Sequence, residues 1–333
     1  MGKLILVFLI AAIVVGCGGG GDGGAGSTTT STASADITAQ NAVEIAGATT
    51  DAALASGDFD EIVDLGLFGS PATATVVLSG SDASVNLAKK TAELQATTAA
   101  ASVEETTECP MGGFMTISAE IQEPETLSAG DSFSLSYMDC DYGEGMVANG
   151  SIGFTVSSFS GALGGEQFEL GFDLEIDNLQ LAELIEDNTI DGDLSMALSV
   201  DATTSTVTIS GSSLSLSSGT DSFSLSQYST SATVDSSMFP TSYTLQSSGF
   251  LMSSHFDGEV QFSTSAELQG SGEGNPVDGE FTITGAEGAT VTVIPMDEQI
   301  VRVELDLDGD DAVDEDGVID MSWQEFLETP DQG

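Results

Sequence analysis

The sequence predicts a mainly β fold: a large antiparallel β-meander that forms a curved, partly closed barrel or sandwich, with one or two N-terminal helices. From Gly113 onward apolar residues recur at every second position, as in Phe168, Leu170, Phe172 and Leu174. The residues between them are mostly Ser, Thr, Asp and Glu, so one face of each strand is apolar and the other is solvated, which is typical of antiparallel sheets. We expect about ten to fourteen strands, and an open twisted sheet of that size curls or splits.

Four short segments of the β region share a pattern in which Asn-Gly or Asp-Gly precedes a polar residue and an apolar alternation. The segments are 149–154, 191–196, 257–262 and 278–283. Asn-Gly and Asp-Gly tolerate the positive φ angles of a type I′ turn, so they predict hairpin turns at which strands begin. Their irregular spacing favours a meander with insertions over a repeat of fixed period.

The region before the β domain has a different pattern. Apolar residues in the run 39–55 fit helical rather than strand spacing, and Val85–Ala101 is a second helix candidate. Between them, Ala72–Leu78 alternates like a short strand. The polar residues Ser102–Glu108 are expected to form a linker into the first cysteine of the body.

The first residues have the features of a bacterial lipoprotein signal peptide. A single Lys3 precedes the apolar run Leu4–Val15, and Cys17 follows Gly16. The run is too short to cross about 30 Å of hydrocarbon as a helix. An ordinary secretory signal would instead need a small residue three positions before its cleavage site. We therefore expect cleavage after Gly16 and acylation of Cys17, whose fatty acyl chains, palmitate among them, would anchor the chain in a membrane.

These features divide the chain into four segments. Residues 1–16 are the expected signal peptide. Residues 17–36 are rich in Gly, Ser and Thr, cannot bury apolar surface, and are expected to form a flexible tether. Residues 37–107 would form a helical N-terminal segment packed on the sheet. Residues 108–333 would form the antiparallel β domain, which ends in a hairpin that resembles a calcium site.

The chain is strongly acidic: 54 Asp and Glu oppose 4 Lys and Arg, for a formal net charge of −50. This charge repels phosphate groups, so it argues against nucleic acid as a partner and against electrostatic docking onto anionic lipid. Cations are the expected partners. Salt shortens the range of the self-repulsion, so a saline habitat would suit the folded chain.

Cys109 and Cys140 are the two cysteines of the expected body. An even number of cysteines in an exported protein indicates a disulfide. A metal site would need further His or Cys residues nearby, and the sequence has none there. We therefore predict a Cys109–Cys140 bridge, which would stabilise the fold by constraining the unfolded chain.

The segment 306–317 has the sequence DLDGDDAVDEDG and resembles the EF-hand calcium loop. Its positions 1, 3, 5, 7 and 9 are occupied by Asp306, Asp308, Asp310, Ala312 and Asp314. Alternating carboxylates can converge on a hard cation at about 2.3–2.6 Å, while position 7 supplies a backbone carbonyl. The apolar alternation on both sides of the segment predicts a strand-loop-strand unit.

Two positions depart from the EF-hand pattern. Asp311 stands where the loop has Gly, and Gly317 stands where it has a bidentate Glu. Glu315 or Asp316 would then have to complete the coordination shell. Clustered carboxylates repel one another unless they are neutralised, which favours a structural Ca²⁺ over an acidic turn without metal. Such an ion would fix the C-terminal hairpin and hold Trp323 against the core.

The sequence argues against an enzyme. His255 is the single histidine, so a zinc site of several His ligands is excluded and a Ser-His-Asp triad has one possible base. The G-x-S-x-G elbow, the S-x-x-K motif, a phosphate-binding Gly-rich loop and the dinucleotide-binding fingerprint are absent. Paired carboxylates for glycoside hydrolysis stay open, because any two of the 54 acids could serve.

The order of these motifs is similar to that of a group of uncharacterised Gram-negative bacterial lipoproteins. The shared features are the lipobox, the Gly tether, the helix start Ile37–Ala42, the Cys-Pro-x-Gly-Gly loop at 109–113, Gly130-Asp131 before a strand, Cys140, and the terminal acidic loop followed by Trp323. The resemblance implies a cell-envelope address and a β-rich body, with no activity attached. Gly18 beside the lipidated cysteine implies transfer to the outer membrane, with the periplasmic and surface faces both open.

Three functional hypotheses remain. A non-catalytic structural or adhesive role in the envelope is favoured by the acidic, Ser/Thr-rich strand faces and the calcium-like loop. A carrier of a lipid or other apolar ligand is the first alternative, and an empty apolar cavity inside the sheet would support it. A hydrolase with unidentified carboxylates is the second, and a cleft with two facing carboxylates flanked by aromatic residues would support it. Which protein or lipid would be the partner is not indicated.

Overall fold

The computed structural model describes residues 34–55, 101–122, 128–143, 146–161, 167–182, 187–219, 221–237, 239–254, 256–272 and 274–327. The strands in these residues are β1 (Ala101–Glu108), β2 (Gly112–Ile121), β3 (Ser132–Gly143), β4 (Met146–Gly161), β5 (Gln167–Ala182), β6 (Asp187–Asp201), β7 (Thr204–Ser218), β8 (Asp221–Asp235), β9 (Ser242–Ser253), β10 (Phe256–Ser271), β11 (Asp278–Thr284), β12 (Thr290–Pro295), β13 (Ile300–Asp306) and β14 (Val318–Ser322). Helix α1 spans Ala42–Ala55 and helix α2 spans Trp323–Leu327. A single 3-10 turn at Ala286–Gly288 lies between β11 and β12.

All of these strands belong to one antiparallel sheet, in which each strand pairs with its neighbours in sequence from β1 to β14. Over the described ranges β1 pairs only with β2, and β14 only with β13, so the sheet is not closed. The predicted mainly β, antiparallel meander with an N-terminal helix is confirmed. The helix begins at Ala42, three residues later than the predicted run, because Asn41 accepts a hydrogen bond from the backbone N–H of Thr38 (2.7 Å) in a turn before it.

The expected linker at Ser102–Glu108 is wrong, because these residues lie in β1 and pair in unbroken register with β2. Their side chains are largely exposed where described, so the segment lacks the apolar alternation that marks the other strands. An edge strand can satisfy its backbone on one side with little apolar content, and charged residues there discourage pairing with other chains. The second helix candidate, Val85–Ala101, and the strand candidate, Ala72–Leu78, lie outside the described residues, apart from Ala101 at the start of β1.

A large buried cluster lines the inner face of the sheet, and a smaller one of Ala232, Leu245 and Leu268 lies against Leu54 of α1. The large cluster joins inward side chains of β2 through β13 to both helices, including Leu135, Ile152, Ile209 and Leu251. Helix α1 packs against β9, β11, β12 and α2. Burial raises the pKa of Asp51 in this helix to about 6, so its ionisation makes folding less favourable as the pH rises from about 4 to about 6.

All four of the Asn-Gly and Asp-Gly pairs lie inside strands rather than at hairpin turns. Gly150 lies within β4 and Gly192 within β6, both with positive φ, and the strand register shifts at each of them. Gly258 in β10 and Gly279 in β11 also have positive φ where the register shifts. The prediction of hairpin turns at 149–154, 191–196, 257–262 and 278–283 is therefore wrong. The positive φ that suits a type I′ turn also suits a β-bulge, in which one extra residue bends the strand.

These bulges continue from strand to strand. Asn149 accepts a hydrogen bond from the backbone N–H of Asp139 (2.8 Å), which has a φ of 49°. Asp191 accepts one in the same way from Asn178 (3.0 Å), which has a φ of 46°. Only glycine fits at position 150, because a Cβ there would overlap the carbonyl of Asn178. The Asx-Gly pairs thus connect a line of bulges that bends the sheet from β3 to β6.

Candidate metal centre

The acidic segment forms the connection between β13 and β14, as the predicted strand-loop-strand unit requires. Three backbone hydrogen bonds of 2.8 Å hold its base: Asp314 to Leu305, Leu305 to Gly317, and Gly317 to Asp314. A Cβ on Gly309 would lie 2.8 Å from the carbonyl oxygen of Glu287, so the loop lies directly against the 3-10 turn. The loop is therefore held by the sheet on one side and by this turn on another.

Asp306 organises the first half of the loop. Its side chain is 7% exposed, and its carboxylate accepts backbone N–H groups from Gly309 (2.9 Å), Asp311 (2.9 Å) and Asp310 (3.3 Å). Asp311 has a φ of 65°. This residue stands where the EF-hand has Gly, and Asp tolerates the left-handed conformation that the turn needs.

The structure brings together three of the predicted ligands, Asp306, Asp308 and Asp310. One carboxylate oxygen from each lies within 4.8 Å of the other two. The negative charge of Asp310 is the main cause that raises the pKa of Asp308, and the charges of Asp314 and Asp306 act in the same direction. Three oxygens at this spacing could hold a metal ion, and a cation among them would relieve the repulsion that disfavours the ionised form of Asp308.

The other predicted ligands lie around this cluster. Asp314 contributes to the raised pKa of Asp308 and accepts the backbone N–H of Leu307 (3.1 Å). Ala312 donates its backbone N–H to Asp310 (3.0 Å) and is exposed. Asp316 is exposed and is not a member of the three-carboxylate cluster. The alternate spacing of the acidic residues thus predicted the three-carboxylate cluster. It did not identify which further residue would complete a coordination shell.

Trp323 is not held by the acidic loop. It follows β14, so the length of that strand separates the two features. Its indole N–H donates to the carbonyl oxygen of Asp297 (3.1 Å), and its backbone N–H donates to that of Gln299 (2.9 Å). The turn between β12 and β13, at the opposite end of the hairpin, therefore positions this side chain.

The predicted disulfide is present. It joins Cys109, in the turn between β1 and β2, to Cys140 in β3, with Cα atoms 5.4 Å apart. The bridge connects the edge hairpin to the next strand of the sheet.

A second group of carboxylates lies on the outer face of the sheet. An open groove of about 510 Å³ crosses β4, β5 and β6, and its acidic residues are Asp173, Glu175, Asp177, Asp191 and Asp193. Although partial burial raises the pKa of Asp193, hydrogen bonds from Ser212 and Ser213 lower it below its ordinary value overall. The described lining of this groove contains no aromatic side chain.

Two sequence-predicted positions, Cys17 and His255, lie outside the described residues. Neither α1 nor α2, the helices of the described part, has the length and apolarity needed to cross a membrane. Comparison of the chain with protein-family models, with curated proteins and with solved structures finds no match.

Proposed function

We propose that the protein is a lipid-anchored cell-envelope lipoprotein with a non-catalytic structural or adhesive role, held at the outer membrane by acyl chains on Cys17. The observation that carries the proposal is the order of the N-terminal features: an apolar run that ends at Cys17, then a Gly/Ser/Thr-rich stretch, then a body that begins at Ser34 in the described residues. A stretch of this composition does not contribute to a buried core, but as a linker it can hold a folded body near a membrane anchor.

Calcium is the proposed structural cofactor of the loop between β13 and β14. Asp306, Asp308 and Asp310 supply converging oxygens, and a hard divalent cation prefers such ligands. The ion would connect the C-terminal hairpin to the rest of the sheet through the contact of the loop with the 3-10 turn. Extracellular calcium modules of this kind bind with dissociation constants of about 10⁻⁴–10⁻³ M.

The alternatives have less support. A lipid carrier would need an apolar cavity, whereas the inner face carries a packed cluster that includes Phe262 and Phe281, with ring centroids 5.8 Å apart. A hydrolase would need two carboxylates beside aromatic residues, whereas the outer groove has acids and no aromatic side chain in its described lining.

The anchor is tested by Cys17→Ser. This variant should leave the membrane fraction, because it has no thiol to acylate, while the parent and a matched Ser27→Ala variant in the tether should stay with the membranes. The measurement is fractionation of cells followed by mass spectrometry of the N-terminal peptide. Membrane retention of Cys17→Ser, or a mature chain that starts elsewhere, would refute lipidation.

The calcium proposal is tested by thermal unfolding with and without calcium. At 10 mM Ca²⁺ we expect a stabilisation of about 1.4–2.7 kcal/mol for dissociation constants of about 10⁻³–10⁻⁴ M. Asp308→Asn should lose this gain yet be at least as stable as the parent in chelator, because it removes the repulsion from Asp310. Asp177→Asn, in the outer groove, is the control and should keep the full gain. A parent that does not respond to calcium at moderate salt contradicts the proposal.

A further inference from the structure

The antiparallel meander places alternate connections at opposite ends of the sheet. The connections 109–111, 285–289 and 307–317 all lie at one end, here called the proximal end. The connections 202–203 and 296–299 lie at the other, here called the distal end. The disulfide turn and the acidic loop thus share the proximal end.

The described chain also begins at the proximal end. Ser34 forms a parallel bridge with Glu259, near the start of β10. Ala35 donates its backbone N–H to Glu259 (2.8 Å) and accepts one from Ala286 (2.7 Å), in the connection after β11. The described chain therefore enters the body at this end.

The length of the tether decides which end can lie near a lipid anchor. From Cys17 to Ser34 there are 34 − 17 = 17 residues. A Gly/Ser-rich coil of that length has an end-to-end distance of about 23 Å, and about 58 Å is the limit at full extension. From Glu259 to Ser271 along β10 there are 271 − 259 = 12 residues, which is about 40 Å. An anchored body would thus hold its proximal end close to the bilayer, and its distal end would reach the lipid only on a nearly extended tether.

An exposed apolar patch lies at a corner of the proximal end. It consists of Met111, Phe114 and Met138, which are 71%, 48% and 67% exposed. Phe114 and Met138 are cross-strand partners on the outer face, while Ile117 and Leu135, also paired, point into the core. Met111 lies in the turn that carries the disulfide. Apolar side chains that are exposed together on one surface are typical of a site that contacts another protein or a membrane.

We propose that the proximal end faces the membrane and that Met111, Phe114 and Met138 contact the lipid surface. This inference rests on the proposed lipid anchor. The tether keeps the patch near the bilayer. It raises the effective concentration of lipid around a contact that is too small to bind by itself. Phe239, which is fully exposed in the connection between β8 and β9, lies at the distal end and would face away from the membrane.

Charge decides which lipids suit this contact. Three acidic residues lie beside the patch. Glu108 in β1 pairs with Phe114, and Asp139 follows Met138 in β3. Asp141 pairs with Gly112, the residue after Met111. These acids repel anionic head groups and have no such conflict with zwitterionic ones. The patch should therefore meet phosphatidylcholine and phosphatidylethanolamine more closely than phosphatidylglycerol.

The test places a tryptophan at each end of the lipidated full-length chain. Phe114→Trp reports on the patch, and Phe239→Trp is the matched control at the distal end. Each is reconstituted in phosphatidylcholine and phosphatidylethanolamine vesicles that carry doxyl-labelled lipid, and the signal of the buried Trp323 is subtracted with the parent. We expect about twofold quenching of the added emission for Phe114→Trp, little for Phe239→Trp, and less for Phe114→Trp when phosphatidylglycerol is added.

Flotation of the vesicles separates the two proposals. Protein that floats without quenching at position 114, or with equal quenching at position 239, overturns the orientation and leaves the anchor standing. Protein that does not float overturns both. In the Cys17→Ser background without vesicles, a blue shift of Phe114→Trp that grows with protein concentration would show that a second copy covers the patch, and it would also overturn the lipid contact.

Discussion

Replacement of both bridging cysteines, Cys109→Ala with Cys140→Ala, should lower the free energy of unfolding by about 3–4 kcal/mol. The bridge spans a sequence separation of 31 residues and joins the β1–β2 turn to β3. Without it, the unfolded chain regains the entropy of that loop and the edge hairpin loses its covalent connection to the sheet. The unfolding midpoint should fall by about 6 °C for a body of this size.

Thermal unfolding followed by circular dichroism measures this effect, in a Cys17→Ser background that keeps the protein out of the membrane. Reductant provides the control, since it should lower the midpoint of the parent and leave the double variant unchanged. Equal midpoints for parent and variant, or two free thiols in the native parent by mass spectrometry, would show that the bridge does not stabilise the fold.

The second large effect is expected for Trp323→Ala, at about 3–5 kcal/mol. The Trp323 side chain is 2% exposed and meets the ring of Phe326 edge to face, with centroids 5.8 Å apart. Its indole N–H also reaches the carbonyl of Asp297. Truncation leaves a cavity between α2 and the sheet and removes the partner of this carbonyl.

Trp323→Phe separates packing from hydrogen bonding. This variant keeps an aromatic ring in the core but loses the hydrogen bond to Asp297. It should lower the free energy of unfolding by less than Trp323→Ala does, and the difference between the two variants measures the contribution of packing. Urea unfolding is measured by far-ultraviolet circular dichroism, because Trp323 is the sole tryptophan and its removal abolishes the fluorescence signal. An alanine variant within about 1 kcal/mol of the parent would mean that the site collapses to fill the space.

Local patterns predicted the features that depend on local chemistry. The alternation of apolar and polar residues identified most strands, because a sheet with one solvated face requires it. The spacing of Asp306, Asp308 and Asp310 identified the carboxylate cluster, because one loop holds all three. Alternation was less reliable near strand ends. Phe114 and Ile117 are both apolar residues of β2, but they lie three positions apart, so the register of β2 turns Phe114 outward and leaves it 48% exposed.

Features that depend on neighbouring strands could not be read from local patterns. Asp191-Gly192 predicts a positive φ, yet whether that φ makes a turn or a bulge depends on β5 and β7, which pair with β6 on either side. The polar strand β1 has no apolar signature of its own and is recognised only by its pairing with β2. The position of Trp323 depends on the turn between β12 and β13 rather than on the acidic segment before it.

The line of bulges has a consequence for how a sheet of such repetitive composition avoids mispairing. The hexapeptide DSFSLS occurs at 131–136 and again at 221–226, and Ser-x-Leu alternation recurs in many strands. A slip of two residues would keep every apolar side chain inward, so alternation alone cannot forbid it. Such a slip would take Asn178 away from Asp191 and push a side chain against the space that Gly150 keeps open. The bulged positions thus select one strand register among several that would bury nearly the same apolar surface.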